Sequence, residues 1–315
     1  MNQLTTLRAY SRLVELESFT GVAKELRVKQ STVSKWIAAL EEDLGVRLVD
    51  RTTRSIRITE AGQLFYRRAS AIVSDYEDAV GEVREEATAL RGRIRMSVPV
   101  VFGQRFIVPA ITDFLMEHEQ IELELIFGDR YVSLVEEGYD LAIRVGIPVD
   151  SALRSHWLGD GRRYLVAAPS YVRRYGSPRE PRDLENHECL IHTERSTWVA
   201  WTFKRGKKSQ QVRVSGRVSA NHSESTLHMT RAGLGVALLA SWFVEPDLKS
   251  GRLVALLPDH ELPSAPVRAL TPPGRLLASR VRSLIEHIRA ELGPALASMR
   301  VTPNEGRAGD FVHRD

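Results

Sequence analysis

The run Gln30-Ser31-Thr32-Val33-Ser34-Lys35 puts one amide, three hydroxyls and one ammonium into six residues. Such side chains suit base edges. A Gln amide pairs bidentately with adenine, Ser and Thr bond several bases, and a Thr methyl touches thymine. The amides at a helix start also attract phosphate. Just downstream, Arg47, Arg51, Arg54 and Arg57 face Asp50 alone between Leu44 and Ile58. By charge alone that stretch is a solvated loop. Beside an amide-and-hydroxyl face it becomes a grip for the phosphate backbone or the minor groove. The candidate nucleic-acid contacts are Lys29, Gln30, Ser31, Thr32, Ser34, Lys35, Arg51, Thr53 and Arg54.

These groups work only when held at fixed angles. Residues 1–18 place Leu4, Leu7, Tyr10, Leu13 and Val14 at mostly helical spacing. Ser18 offers an N-cap to a second short run, Phe19, Val22, Ala23 and Leu26. After a break at 27–30, Val33, Ile37, Leu40 and Leu44 form one stripe, and Gly45 stands where a C-cap glycine belongs. Helix, short turn, helix is the geometry that lays a second helix in the major groove. In residues 46–58, Ile56 and Ile58 alternate with Arg57 beside a Thr-Thr turn, which predicts a small hairpin, or wing. Trp36 is large for its place and reads as cover for the core rather than as a backbone contact.

From Thr59 to Leu90 the period changes. Thr59 caps a proline-free helix in which Phe65, Ala69, Ile72, Tyr76, Ala79 or Val80, Val83, Ala87 and Leu90 recur at alternating spacings of four and three. At ~1.5 Å per residue the helix spans about 45 Å, more than a small domain covers. A second copy of the chain is the simplest partner for this seam, and packing onto the same chain is the alternative. Past Arg91-Gly92, strand signals (93–98, 121–127, 140–145, 164–168, 212–218) alternate with helix signals (106–118, 131–138, 223–233, 276–299), as in an α/β module. Residues 301–315 lack periodicity and read as a disordered tail.

The chain has 315 residues, enough for two or three domains, with 43% hydrophobic and 27% charged residues. No apolar run approaches the roughly 18 residues of a membrane span, and the start has no basic region followed by an apolar stretch. A cytoplasmic protein without membrane contact is expected. Cys189 is the only cysteine, which excludes an intramolecular disulfide. His187-x-Cys189-x-x-His192 lacks a fourth metal ligand, Cys189 lacks an orienting third group for nucleophilic work, and Gly233-Leu-Gly235 lacks the third glycine of a dinucleotide site. No metal, no cofactor and no enzymatic activity are expected.

Phe19-Thr20, the run VAKEL, the string KQSTVSKWIAALEEDLGVRLVDR and Thr59-Glu60-Ala61-Gly62 together resemble the amino-terminal signature of the LysR-type transcriptional regulators. Further on, DRYVSLVEEGYDLAIRVG (129–146), PSYVRRYGSPREPRDLENHECL (169–190) and AGLGVALL (232–239) are similar to one branch of that family. The resemblance covers the chain to about residue 292. It implies an N-terminal all-α winged helix-turn-helix (1–58) and a long dimerising linker helix (59–90). An α/β effector domain (91–300) follows, two-lobed and like the periplasmic binding proteins, with lobe I at 91–162 and 268–300 and lobe II at 163–267. It implies as partners double-stranded promoter DNA, a small-molecule effector held between the lobes, and further copies of the chain in a homodimer or homotetramer. RNA polymerase is a candidate partner.

The family's effector positions carry over to Pro99, Val100, Phe102, Gln104, Arg130, Gly146, Thr193, Trp198, Asn221 and Ser223. Pro99-Val100-Val101 stand where many members offer hydroxyls to an anionic effector, so a more apolar pocket is expected. Lys29 replaces a frequent capping Ser, leaving Gln30 or Ser31 to cap, and Val49 replaces the usual Phe of the wing. The rival reading is a ligand-binding protein whose N-terminal module contacts protein rather than DNA. The basic wing counts against it.

Overall fold

The computed structural model describes residues 2–51, 56–83, 90–146, 152–192, 198–273 and 277–299. The N-terminal unit opens with α1 (Gln3–Leu16), α2 (Phe19–Glu25) and α3 (Gln30–Leu44). Asn2 caps α1 by accepting from the Leu4 amide at 3.1 Å, and Ser18 caps α2 by accepting from the Gly21 amide at 3.0 Å. Neither Gln30 nor Ser31 caps α3, which begins at Gln30 behind an extended Lys29 and ends at Gly45. Tyr10, Leu13, Val22, Val33 and Ile37 are fully buried where the three helices meet, and Trp36 packs half-buried against the same core. The wing is β1 (Val49–Arg51) antiparallel to β2 (Ile56–Ile58), with Val49 opposite Ile58.

Thr59 and Gly62 tie the wing to the next helix, α4 (Glu60–Val83). The Thr59 hydroxyl donates to Arg47 O at 2.8 Å and accepts from the Gly62 amide at 2.9 Å. The Tyr10 hydroxyl donates to Gly62 O at 2.9 Å, and burial raises its pKa well above the usual phenol value. A Cβ on Gly62 would meet Leu48 O at 2.3 Å, so only glycine fits where wing, α1 and α4 converge.

The expected single seam on α4 is split in two. Phe65 packs at a tilt against Tyr10 with centroids 5.5 Å apart, and Ala69 and Val73 are buried within the same chain. Ile72 and Tyr76 instead face out, together with Leu64, each about half exposed. Leu90 packs against the core of the following module, and Ala87 lies outside the described residues. A helix turns 3.6 residues per turn, so an apolar pattern of alternating threes and fours can serve two neighbouring surfaces.

The remaining chain forms two five-stranded sheets and a separate antiparallel pair of strands. In chain order its elements are β3 (Gly92–Val98), α5 (Val100–Phe102), a π turn (Gly103–Ile107), α6 (Val108–Glu117), β4 (Ile121–Phe127), α7 (Leu134–Glu137), β5 (Leu141–Val145), β6 (Arg154–Gly161), β7 (Arg163–Ala167), α8 (Pro169–Tyr175), β8 (Cys189–His192), β9 (Trp198–Arg205), β10 (Lys208–Ser215), β11 (Ser219–Ala220), α9 (Ser223–Arg231), β12 (Val236–Ala240), α10 (Ser241–Lys249), β13 (Val254–Leu256), β14 (Ala265–Thr271) and α11 (Ser279–Ser298). The first sheet has the order β4-β3-β5-β14-β6 and the second β11-β8-β12-β7-β13, and the separate pair is β9 with β10. β3 lies parallel to β4 and β5, while β14 returns antiparallel between β5 and β6.

Each sheet has its own core, and Trp242 bridges them. It sits at the start of α10 but is buried in the core of the first sheet, 5.1 Å from the Phe102 ring. Gly161 leaves room for it, since a Cβ there would lie 2.0 Å from the indole. Among the described residues no helix is long and apolar enough to cross a membrane.

Gly62→Ala should therefore lower unfolding stability by about 1–3 kcal/mol, the usual cost of forcing a methyl into a packed site. Urea unfolding followed by circular dichroism measures this, and an unchanged midpoint would remove the glycine from the joint.

Candidate functional site

The direction of α3 follows from its buried stripe. Val33 and Ile37 have no exposed surface, and Leu40 keeps only 9%. With that face committed to the core, Gln30, Ser31 and Lys35 stand in solvent, with Thr32 and Ser34 half-buried beside them. The first intrahelical bonds run from the Thr32 and Val33 amides to Lys29 O, at 2.9 and 3.3 Å. Lys29 gives no side-chain cap bond, so its side chain leaves the orphan amides of the first turn open to an incoming anion. Lys29 itself is exposed beside them.

Sequence reasoning missed the residue that sets the wing. Glu41, on the far half of α3, accepts from the Leu48 and Val49 amides through Oε1 at 2.8 and 3.0 Å. Helix and wing are thus fixed to one another by one carboxylate. Arg51 closes the wing ladder opposite Ile56, while Thr53 and Arg54 lie outside the described residues. On the opposite side Arg12 joins α1 to α2, donating to both carboxylate oxygens of Glu25 at 2.7 and 2.8 Å. That bond and the nearby Glu15 raise the Arg12 pKa.

A second cluster forms where the parallel strands β3, β4 and β5 end. The structure brings Pro99, Val100, Arg130 and Gly146 to this edge of the first sheet. Asp129 accepts from the Val100 amide at 3.1 Å, and Arg130 pairs with Glu137 at 2.7 Å. Beneath them lies Arg144, 5% exposed. Its guanidinium donates to Ile143 O at 2.7 Å, to Ser97 Oγ at 2.9 Å and to Arg130 O at 2.9 Å. Burial lowers its pKa. Arg144 therefore anchors the loop that carries Asp129 and Arg130. A lone charge inside the apolar strand Leu-Ala-Ile-Arg-Val was the sequence signal that could have found it.

The other expected effector positions fall in different surroundings. Gln104 is exposed. Phe102 is buried between Phe106 and Trp242 in the core of the first sheet, away from any free surface. Trp198 starts β9 and is nearly half exposed under the Arg213 guanidinium, 4.2 Å from its ring centroid. Asn221 and Ser223 flank the start of α9, where His222 accepts from the Ser225 amide. Thr193 lies outside the described residues. Near the Cys-His string, the His187 Nδ1 is 3.2 Å from the Tyr171 hydroxyl. Cys189 is fully buried, and that burial pushes its thiol up to about 12. The thiol is a packing group at neutral pH.

Two family descriptions match this chain. Bacterial regulatory helix-turn-helix protein, lysR family, covers residues 4–63, and LysR substrate binding domain covers residues 87–293. The chain is 34% identical over 290 residues to the HTH-type transcriptional regulator PtxR of Pseudomonas aeruginosa, spanning 92% of this chain and 93% of that one. It is 33% identical to the HTH-type transcriptional regulator DmlR of Escherichia coli, spanning 91% and 93%. Among solved structures, it is similar to CrgA, a LysR-type transcriptional regulator from Neisseria meningitidis. That match has 28% identity and a TM-score of 0.56, over 92% of this chain and 98% of that one. The full-length Vibrio cholerae virulence activator AphB matches at 25% identity and a TM-score of 0.54, over 91% and 98%.

Replacing Arg144 by Met should destabilise the second cluster. It removes a costly buried charge but orphans Ser97, Ile143 and Arg130 acceptors, each worth about 1–3 kcal/mol when left unpaired. The expected loss is about 1–3 kcal/mol by chemical denaturation, with faster amide exchange at residues 128–131. Unchanged exchange there would mean that Arg144 does not hold the loop.

Proposed function

The chain belongs to the LysR family of bacterial transcriptional regulators, and from that premise we propose a specific division of labour among its residues. Gln30, Ser31, Thr32, Ser34 and Lys35 read base edges in the major groove. Lys29, Arg51, Thr53 and Arg54 hold phosphate on either side. The observation that carries this reading is the solvent-facing polar start of α3, uncapped by Lys29, on a helix whose Val33, Ile37 and Leu40 are buried.

Two copies present two readers. Leu64, Ile72 and Tyr76 form an uncovered apolar stripe on α4, and a second α4 would cover it. Fully burying one such side chain contributes about 1.5–3 kcal/mol, so a few pairs suffice to favour a dimer. Its two α3 helices then address half-sites about one helical turn apart.

A small-molecule effector binds between the lobes, against Pro99, Val100, Arg130 and Gly146 on one side and Trp198, Asn221 and Ser223 on the other. Asp129 already occupies the first helix amide on this edge, and no hydroxyl stands at Pro99-Val100-Val101. Both features favour a neutral effector over a carboxylate at that point. The effector acts by binding two arrangements of the assembly unequally.

A run of polar contacts leads from that edge to the reader. Arg130 pairs with Glu137, and Arg95 donates to Glu137 O at 2.6 Å. Arg95 pairs with Glu124 at 3.1 Å, and Arg93 pairs with the same carboxylate at 2.7 Å. Arg93 then donates to the Tyr66 hydroxyl at 3.0 Å, which donates to Glu15 at 2.8 Å. Burial and the Glu15 charge push the Tyr66 phenol up to about 12, so this donor keeps its proton at neutral pH. Glu15 pairs with Arg12, the clamp on α2. Exposed pairs of this kind contribute under about 1 kcal/mol each, so an effector can rearrange them without unfolding either module.

Removing the Gln30 or Ser34 side chain should lower preference for the operator over unrelated DNA by roughly 5- to 100-fold per lost base contact. Non-specific affinity should hardly change. Competition binding on the two DNAs measures both, and an equal loss on each would contradict base readout. The pair Ile72→Asp and Tyr76→Asp should give a folded monomer by light scattering. A dimer that survives both substitutions would place the interface elsewhere.

A further inference from the structure

Strands β9 and β10 form a separate two-stranded sheet whose tip reads Lys204-Arg205-Gly206-Lys207-Lys208. All four cations are exposed, and none forms an ion pair among the described residues. Their combined charge equals the formal +4 of the whole chain. The register sets Lys208 directly opposite Arg205. Like charges facing each other across a ladder destabilise it.

The fold gains nothing evident from that repulsion. Trp201, Phe203, Val212 and Val214 already bury the inner face of the hairpin. Backbone bonds between Lys204 and Glu261, at 2.8 and 2.7 Å, fix the tip from the side. A rigid ribbon that keeps a local electrostatic penalty at its end is the pattern of a binding element.

We propose that this tip is a second phosphate-contacting element, which grips duplex DNA outside the segment occupied by α3. The inference rests on the DNA-binding reading above. The chemistry selects a nucleic acid over an acidic protein. Protein interfaces are anchored by Trp, Tyr and Arg and are poor in Lys, whereas the run from Lys204 to Gln211 has three lysines, one arginine and no aromatic or apolar side chain. Arg205 and Lys208, opposed about 5 Å apart on one face with Lys204 and Lys207 beside them, suit a phosphate backbone instead.

The test uses the full chain and two duplexes, one confined to the segment protected by the reader and one extended by some 30 base pairs on each side. The variant carries Lys204→Gln, Arg205→Gln, Lys207→Gln and Lys208→Gln. Each phosphate contact contributes about 0.9 to the slope of log K against log salt. On the long duplex the variant's slope should fall by up to about 3–4 per engaged tip, and on the short duplex it should match the parent. The variant's Tm should stay level or rise, because the Arg205–Lys208 repulsion is gone. Identical slopes on the long duplex would overturn the proposal and leave an acidic protein or bare solvent as the tip's surroundings. An equal fall on both duplexes would overturn it as well, reducing the tip to a general field. If the parent binds neither duplex at low salt, the DNA-binding reading itself has failed and the tip proposal falls with it.

Discussion

The burial of Val33 and Ile37 against Tyr10, Leu13 and Val22 is the constraint on which the rest depends. One stripe of α3 has a fixed partner, so the opposite stripe has a fixed direction. Ser31 and Lys35 are outward because Val33 and Ile37 take the buried side of the helix, and Gln30 is exposed as its first residue. The wing inherits its place from the same helix through Glu41, and α4 inherits its place from the wing through Thr59 and Gly62. A short chain of packed side chains and obligatory backbone bonds thus positions α3, the described strands of the wing and the start of α4.

The two halves of the molecule are joined by a different kind of interaction. Inside the reader the helices are held mainly by an apolar core, with the Arg12 pairs added at its surface. Among the described residues, Glu15, Tyr66, Arg93 and Glu124 form half-exposed, charge-assisted contacts between reader and sensor. Tight packing within modules and exchangeable polar pairs between them is the distribution a ligand-controlled reader requires. Trp242 provides a contrast, because it buries one lobe's helix start in the other lobe's core and restricts how the lobes can move.

Much of this was legible in the residues. Helical spacing found α1 to α3, Ser18 and Gly45 marked their ends, and IELELIF marked β4 as the structure has it. Strands β6, β8, β9 and β11 to β14 escaped because their apolar runs are short or broken by polar residues. The seam on α4 misled in part, since periodicity states that a face is apolar but not what covers it. Phe65 and Ala69 proved to be covered by α1, whereas Ile72 and Tyr76 are not. Phe102, expected at a ligand surface, packs in a core, because position in a loop signature does not fix side-chain direction. Glu41 was invisible because its role depends on the Leu48 and Val49 amides, which one sequence position cannot reveal. Arg144 left a signal, a lone charge in an apolar strand, that was passed over.

Hydroxyl-radical footprinting of the full-length protein on promoter-proximal DNA from its own locus tests the central claim most directly. Two protected patches on one face of the duplex, separated by about one helical turn of 10–10.5 base pairs, are expected from paired α3 helices. Protection should vanish when Gln30 and Lys35 are both replaced by alanine. Uniform reactivity along every fragment at low salt, with the protein folded, would contradict the account.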